Sequence, residues 1–175
     1  MKAPVLVQVE EYLRTSHRPD CDYVDGEVLE RNVGERDHSA LQREFISYLG
    51  TRAKPWGIHV FPEQRVQVSA RRFRVSDICV IVGREPQEQI FRDPPFICIE
   101  VLSKGDSLRS VQSRVDDYLK FGVPFVWVFD PFDRRAWTCS VDGSREVKDG
   151  VLRTENPAIE ILLADVFAGL DDARP

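Results

Sequence analysis

The sequence predicts one α/β domain over residues 1–175, in which a mixed central β-sheet is flanked by helices. Apolar runs rich in Val and Ile at residues 73–82, 96–102 and 125–129 are typical of buried strands. An amphipathic pattern over residues 107–121 lies between the last two runs, which indicates a βαβ unit with parallel strands. A chain of 175 residues with 42% hydrophobic content is long enough to bury a sizeable core.

The first elements in the chain are a short helix and a hairpin. The helix is predicted over residues 7–13. The hairpin covers residues 22–31, because Asp25-Gly26 is a strong two-residue turn signal. A strand over residues 59–69 is predicted later, just before the first buried run.

A longer helix is predicted between the hairpin and that strand. Asp37 or Ser39 is expected to cap its first turn, and the Pro-Trp-Gly sequence at residues 55–57 is expected to end it. Its apolar stripe consists of Leu41, Phe45, Tyr48 and Leu49.

The helix over residues 107–121 is predicted to cover the sheet. Its apolar face consists of Leu108, Val111, Val115, Tyr118 and Leu119. Arg114 lies at one border of this face and Gln112 at the other, where a polar tip can extend past the sheet edge. A hairpin strand over residues 135–141 follows the last buried run. A final short helix, or a strand and a turn, is predicted over residues 159–170.

Composition and charge limit the classes of function. The net charge of −5 argues against a protein coated with positive charge for non-specific nucleic-acid binding. No apolar run approaches the ~20 residues that span a bilayer, and the N-terminal apolar run is too short for a secretory signal, so we expect a cytoplasmic protein outside the membrane. A local basic groove that binds nucleic acid, or else a solvated turn, is expected at Arg71, Arg72 and Arg74.

Two carboxylates stand inside the buried runs and are the main candidates for chemistry. Asp77 lies in FRVSDICVIV and Glu100 in PFICIEVLS. An acid within such a run is costly unless it is paired or ligates a metal. The structural alternative is that Arg74 or Arg114 neutralises Asp77, and that Arg114 neutralises Glu100.

The ordered set of motifs resembles the PD-(D/E)XK nuclease superfamily and, more closely, its Uma-two family of restriction endonucleases. The motifs are YVDGE, EQRVQV, RVSD, EVLS, RVDDY and GVPFVWVFDP. The resemblance covers most of the chain and implies a restriction-endonuclease-like domain with an αβββαβ core. It also implies a Mg²⁺ (or Mn²⁺) site formed by Asp77, Glu100 and the backbone carbonyl of Val101.

Three departures from the family pattern lie in the motifs of the acid pair and of the helix that follows it. Ser76 replaces the proline that precedes the aspartate, and proline provides no ligand. Leu102 stands where the superfamily motif has lysine; in the Uma-two branch the lysine lies on the next helix, four residues before a tyrosine. That position is Arg114 here, before Tyr118. Arginine stays charged and cannot be a general base, but it can stabilise charge on the phosphate. Gln112, on the same helix, is a candidate for positioning water.

Three further residues are site candidates, each with a structural alternative. Asp22 stands where the family has glutamate, and the alternative is an ordinary hairpin with solvent-facing acids. His38 lies at a helix start where the family often has histidine, and the alternative is a surface residue. Glu63 is a candidate third acid, and the alternative is a partly exposed strand residue.

Two functions compete at this point. The first is a metal-dependent endonuclease that cleaves DNA, acting as a homodimer because two sites cut two strands; the hairpin that carries Trp137 is a candidate dimer contact. The second is a non-catalytic nuclease-fold protein that binds nucleic acid or a partner protein. The intact acid pair favours the first, and the arginine in place of lysine favours the second.

Overall fold

The computed structural model describes residues 6–32 and 34–171. Its helices are α1 (Val9–Arg14), α2 (Arg36–Trp56), α3 (Leu108–Phe121) and α4 (Leu163–Asp171). Its strands are β1 (Cys21–Val24), β2 (Glu27–Glu30), β3 (Ile58–Ser69), β4 (Arg72–Val82), β5 (Ile97–Val101), β6 (Phe125–Asp130), β7 (Arg135–Ser140), β8 (Gly143–Glu146), β9 (Val151–Arg153) and β10 (Glu160–Leu162).

Eight of the described strands form one mixed sheet. Their order is β2-β1-β4-β5-β6-β7-β8, and β3 pairs with β4 outside this path. Strands β5 and β6 are parallel and are joined by α3, whereas the other neighbours in the sheet are antiparallel. The predicted mixed sheet with flanking helices and the predicted parallel βαβ unit are therefore confirmed.

One edge of β4 is divided between two neighbouring strands. β3 pairs with β4 along its whole length, so β1 and β5 must both lie at the opposite edge. β1 pairs with Arg72 and Phe73, whereas β5 pairs with residues 78–80. Residues 74–77 of β4 consequently border a gap between the ends of β1 and β5, and the candidate site lies in this gap.

Different helices cover the two faces of the sheet. Helices α2 and α4 cover one face with apolar side chains that include Leu41, Phe45, Leu49, Val166, Phe167 and Leu170. On the other face, Val115 and Tyr118 of α3 pack in one cluster with Cys98 and Val126. Each large apolar side chain buried in this way contributes ~1.5–3 kcal/mol to the stability of the fold. The helices on the two faces therefore hold in place the strands that border the gap.

Several local predictions needed correction. Helix α2 starts at Arg36 with Glu35 at its N-cap position and no capping side chain, so Asp37 and Ser39 lie inside the helix. The predicted end of α2 is confirmed, because Gly57 adopts a left-handed φ of 63° after Trp56.

Two more corrections concern the ends of other elements. Leu108, expected on the buried face of α3, is 91% exposed because it is the first residue of the helix. The last segment forms strand β10 followed by α4, and β9, which pairs with β10, was not predicted. In the part of the chain that the structure describes, no helix is both long and apolar enough to cross a membrane.

Candidate active site

Asp77 and Glu100 lie opposite each other at the gap beside β4. Ile78 pairs with Ile99 in the antiparallel ladder. Asp77 and Glu100 therefore occupy the next pair of opposed positions on the two strands. Both carboxylate side chains are buried, with exposed fractions of 1% for Asp77 and 0% for Glu100. Such a pair is costly to ionise unless cations or hydrogen-bond donors surround it.

Asp77 is surrounded by donors and is held as a carboxylate. Its Oδ2 accepts a hydrogen bond of 2.7 Å from the backbone N–H of Val101, and Nε2 of His38 lies 3.5 Å from the same oxygen. Its Oδ1 accepts from the guanidinium of Arg31. Burial raises the pKa of Asp77, but Arg31 and His38 outweigh it, so the pKa lies below its usual value.

Glu100 has a different environment. Tyr118 donates a hydrogen bond of 2.8 Å to its Oε1, and Nε of Arg114 lies 2.8 Å from its Oε2 without hydrogen-bond alignment. Among the described residues, no group donates a hydrogen bond to this buried Oε2. Burial raises the pKa of Glu100 to about 7; Arg114 lowers it and Asp77 raises it further. The two facing carboxylates therefore differ in proton affinity.

Arg31 was not predicted as a site residue, yet it lies between the carboxylates. The residue follows directly after β2, and its Nη2 contacts Asp77 Oδ1 and lies 3.9 Å from Glu100 Oε2. Its Nη1 lies 4.0 Å from Asp22 Oδ1. Three carboxylates thus surround one guanidinium, and Asp77 raises the pKa of Arg31 far above its usual value despite burial.

The helix α3 brings Arg114 and Tyr118 to Glu100 because residues four apart lie on one side of a helix. Nη2 of Arg114 also donates to Asp106 at 3.1 Å, so the guanidinium is held between Glu100 and Asp106. The spacing of Arg114 and Tyr118 was visible in the sequence, whereas Asp106 gave no signal. Gln112 is not brought to the acid pair: it is exposed, donates to Asp116 at 2.8 Å and lines an apolar cleft of about 580 Å³ beside α3.

His38 and Glu63 both line a cavity of about 230 Å³ that opens beside Asp77, which is the open side of the site. His38 is buried in the first turns of α2, so the surface alternative was wrong. Burial lowers the pKa of His38, but the hydrogen bond and charge of Asp77 outweigh this and raise it. Glu63 is exposed and accepts a 2.6 Å hydrogen bond from Gln42, whose amide also donates to the backbone oxygen of Asp77.

Asp22 and Arg74 form a buried ionic network beside the acid pair. Asp22 accepts from the Val75 N–H and from Arg74 Nη1, both at 2.9 Å, so the solvent-facing alternative for Asp22 was wrong. Nε of Arg74 donates to Asp117 of α3 at 2.8 Å. The carboxyl group of Asp22 thus replaces a strand partner for β4 across the gap. The structural alternative in which Arg74 or Arg114 neutralises Asp77 does not occur, because Arg31 contacts Asp77 instead.

The predicted basic groove does not form. Arg74 is 2% exposed, and its guanidinium forms ion pairs with Asp22 and Asp117. Arg72 pairs with Asp25 and Asp117. Arg71 is exposed and donates to the backbone oxygen of Asp25 at 3.2 Å. These three arginines alternate with acids rather than presenting one positive surface.

The donor set of the site suits a hard divalent cation. Magnesium binds through one or two carboxylates and retains several waters, and the buried Glu100 Oε2 lacks a hydrogen bond from any described residue. Within residues 6–32 and 34–171, no group of three or more His, Cys, Asp or Glu side chains is arranged to hold an ion. Asp77 and Glu100, with a backbone oxygen such as that of Val101, are the groups at the gap that could hold such an ion.

Comparisons with known proteins agree with this fold. A family model named Uma2 and described as "Putative restriction endonuclease" matches residues 9–170. No curated protein matches the chain. A crystal structure described as "a putative nuclease belonging to DUF820" from Anabaena variabilis is similar, with a TM-score of 0.80 and 24% identity. The match covers 94% of this chain and 99% of that chain, which shows a shared fold.

Proposed function

Because the chain belongs to the Uma2 family of restriction-endonuclease type, as its motifs predicted, we propose that it is a metal-dependent endonuclease that hydrolyses phosphodiester bonds in DNA. The observation that carries this proposal is the pair of buried, facing carboxylates, Asp77 and Glu100, with Arg114 beside them. A buried acid pair open to one side by a gap in the sheet is costly for stability alone, and it is the arrangement that phosphoryl chemistry uses.

A Mg²⁺ or Mn²⁺ ion held by Asp77, Glu100 and the Val101 carbonyl would supply a water of lowered pKa and neutralise charge on the phosphate. The chain's own residues do the rest. Tyr118 fixes the rotamer of Glu100 through its 2.8 Å hydrogen bond, and the Val101 N–H does the same for Asp77. Both carboxylates are thus oriented before substrate arrives.

Arg114 has an electrostatic role in this proposal. Its guanidinium is anchored by Asp106 and lies 2.8 Å from Glu100, which places positive charge where the phosphate gains negative charge in the transition state. It cannot remove a proton from water because it stays charged. His38, 3.5 Å from Asp77 at the open side, is placed to position or take up a proton beside that carboxylate.

The test is a plasmid cleavage assay with Mg²⁺ or Mn²⁺. We expect nicked or linear DNA with the wild type and none with Asp77→Asn or Glu100→Gln, since each removes one ionised ligand. Glu27→Gln, at an exposed position of β2, is the matched control and should cleave normally. Absence of cleavage of double- and single-stranded DNA with either ion would contradict the endonuclease proposal.

A second candidate function is a nuclease-fold protein that binds nucleic acid or a partner without cleaving it. The observation that favours it is Arg31, which already neutralises the carboxylates that a metal needs. A gel-shift assay separates the two candidates, because stable DNA binding by the wild type without cleavage in Mn²⁺ supports the second. Cleavage that depends on Asp77 supports the first.

A further inference from the structure

The position between Asp77 and Glu100 is held by a cation of the chain itself. Arg31 Nη2 contacts Asp77 Oδ1 and lies 3.9 Å from Glu100 Oε2. The other oxygen of each carboxylate accepts a hydrogen bond, from the Val101 N–H in Asp77 and from Tyr118 in Glu100, which leaves these two oxygens for a divalent ion. Glu100 Oε2 and Arg31 Nη1 are both buried without a hydrogen bond to the described residues, so the guanidinium does not satisfy the acid pair completely.

We propose that Arg31 is a tethered cation that competes with a divalent ion for Asp77 and Glu100 and thereby sets the metal affinity of the site. A guanidinium and a divalent ion cannot share these oxygens, because two cations a few ångströms apart repel strongly in a poorly solvated place. The metal must therefore displace Arg31. The inference rests on the proposed function in one respect only, that Asp77 and Glu100 are cation ligands.

The structure gives Arg31 a place to move. The residue lies outside the strands and helices, between β2 and α2. Its side chain lines an open cavity of about 230 Å³ together with Asp20, His38 and Glu63. The acids Asp20 and Glu63 give a displaced guanidinium new partners, and a phosphate group entering from this side would meet it there.

The neighbouring arginine has a different position. Arg114 approaches Glu100 from α3 and is anchored by Asp106 at 3.1 Å, whereas Asp77 is contacted by Arg31 and not by Arg114. Removing Arg31 therefore opens the space between the carboxylates, while removing Arg114 leaves that space filled. The proposal is specific to Arg31.

The experiment measures Mn²⁺ binding to the purified chain by electron paramagnetic resonance of free Mn²⁺ and by calorimetry. Arg31→Met keeps the length of the side chain and removes its charge, and we expect it to bind Mn²⁺ more tightly than the wild type by on the order of 10- to 100-fold. Arg145→Met, at an exposed position of β8, is the matched control and should bind as the wild type does. The double variant Arg31→Met with Asp77→Asn should lose the gain.

Thermal unfolding gives a second readout that does not depend on activity. Arg31→Met should melt at a lower temperature than the wild type without metal, and Mn²⁺ should raise its Tm more than it raises that of the wild type. If Arg31→Met does not fold, Arg31→Lys replaces it. Lysine keeps one charge but cannot bridge two carboxylates with a fork, so we expect an affinity between those of the wild type and Arg31→Met.

The outcomes separate this inference from the proposed function. Equal Mn²⁺ affinity in the wild type and Arg31→Met, with loss in Asp77→Asn, would overturn the inference and leave the metal site intact. Tight binding that persists in the double variant would also overturn it, because the ion would then lie elsewhere. Absence of Mn²⁺ binding in every variant would overturn the inference and the metal dependence of the proposed function together.

Discussion

Replacing Glu100 with glutamine should remove a pH dependence of stability that this residue gives to the folded protein. Glu100 is fully buried, and burial above all raises its pKa from 4.5 to about 7. Between these two pH values the folded state binds more protons at this residue than the unfolded state does. The free energy of unfolding therefore falls as the pH rises. A pKa difference of this size corresponds to about 3 kcal/mol.

The variant Glu100→Gln isolates this contribution. Glutamine has nearly the same volume and keeps an oxygen that can accept from Tyr118, but it cannot ionise. We expect the free energy of unfolding of the wild type, minus that of the variant, to decrease by about 3 kcal/mol between pH 4.5 and pH 8. Urea unfolding at several pH values, followed by the fluorescence of the buried Trp127, measures this difference.

The control for this experiment is Glu27→Gln on the exposed hairpin strand β2, which shows the effect of removing one solvated carboxylate. The reasoning is refuted if the difference between the wild type and Glu100→Gln stays constant over this pH range. It is also refuted if the wild type gains stability relative to the variant as the pH rises. Either result means that nearby cations, rather than burial, dominate the environment of Glu100.

Arg114→Ala should reduce cleavage by on the order of 10²-fold, whereas Arg114→Lys should retain cleavage; an Arg114→Ala variant as active as the wild type would contradict the electrostatic role. Arg114→Ala should also destabilise the fold by about 3–5 kcal/mol at a pH well above 7, because the pKa of Glu100 rises when Arg114 no longer lowers it and the carboxyl group is ionised without its partner only there. Arg74→Met should cost about 3–5 kcal/mol in urea unfolding, because the buried Asp22 loses its nearest cation and Asp117 keeps only Arg72. A change below about 1 kcal/mol would show that the network is solvated. Sedimentation at micromolar concentration should give twice the chain mass of 20.1 kDa if the predicted homodimer forms, and Trp137→Glu should give monomers; a monomeric wild type would contradict the dimer.

The strands and the acid pair could be predicted because their signals are local. Runs of Val and Ile mark β4, β5 and β6, and a carboxylate within such a run stands out against its neighbours. The helix α3 between parallel strands also fixed the approach of Arg114 toward Glu100. In each case a periodic pattern over a few residues was enough to place the side chain.

The positions of Arg31 and Arg74 could not be predicted because their partners lie far away in the chain. Arg31 and Asp77 are 46 residues apart, and an arginine after a hairpin is usually solvated. Arg74 lies in a part of β4 where every residue from 73 to 80 is buried. Its place in the strand therefore does not show that its partners are Asp22 and Asp117, which are 52 and 43 residues away in the chain.

The division of the β4 edge between β1 and β5 leaves the N-terminal hairpin with few contacts to the main sheet. The hairpin β1–β2 pairs with β4 only at Arg72 and Phe73, and it packs with α1 in a small apolar cluster of Tyr12, Tyr23 and Phe73 that is separate from the clusters under the main sheet. Apart from Asp22, whose carboxyl group binds Arg74 and the Val75 N–H, few residues of the hairpin contact the strands that carry the acid pair. Because Arg31 directly follows β2, a change in the hairpin that shifts this residue would alter the cation between the carboxylates and leave the acid pair and the core in place.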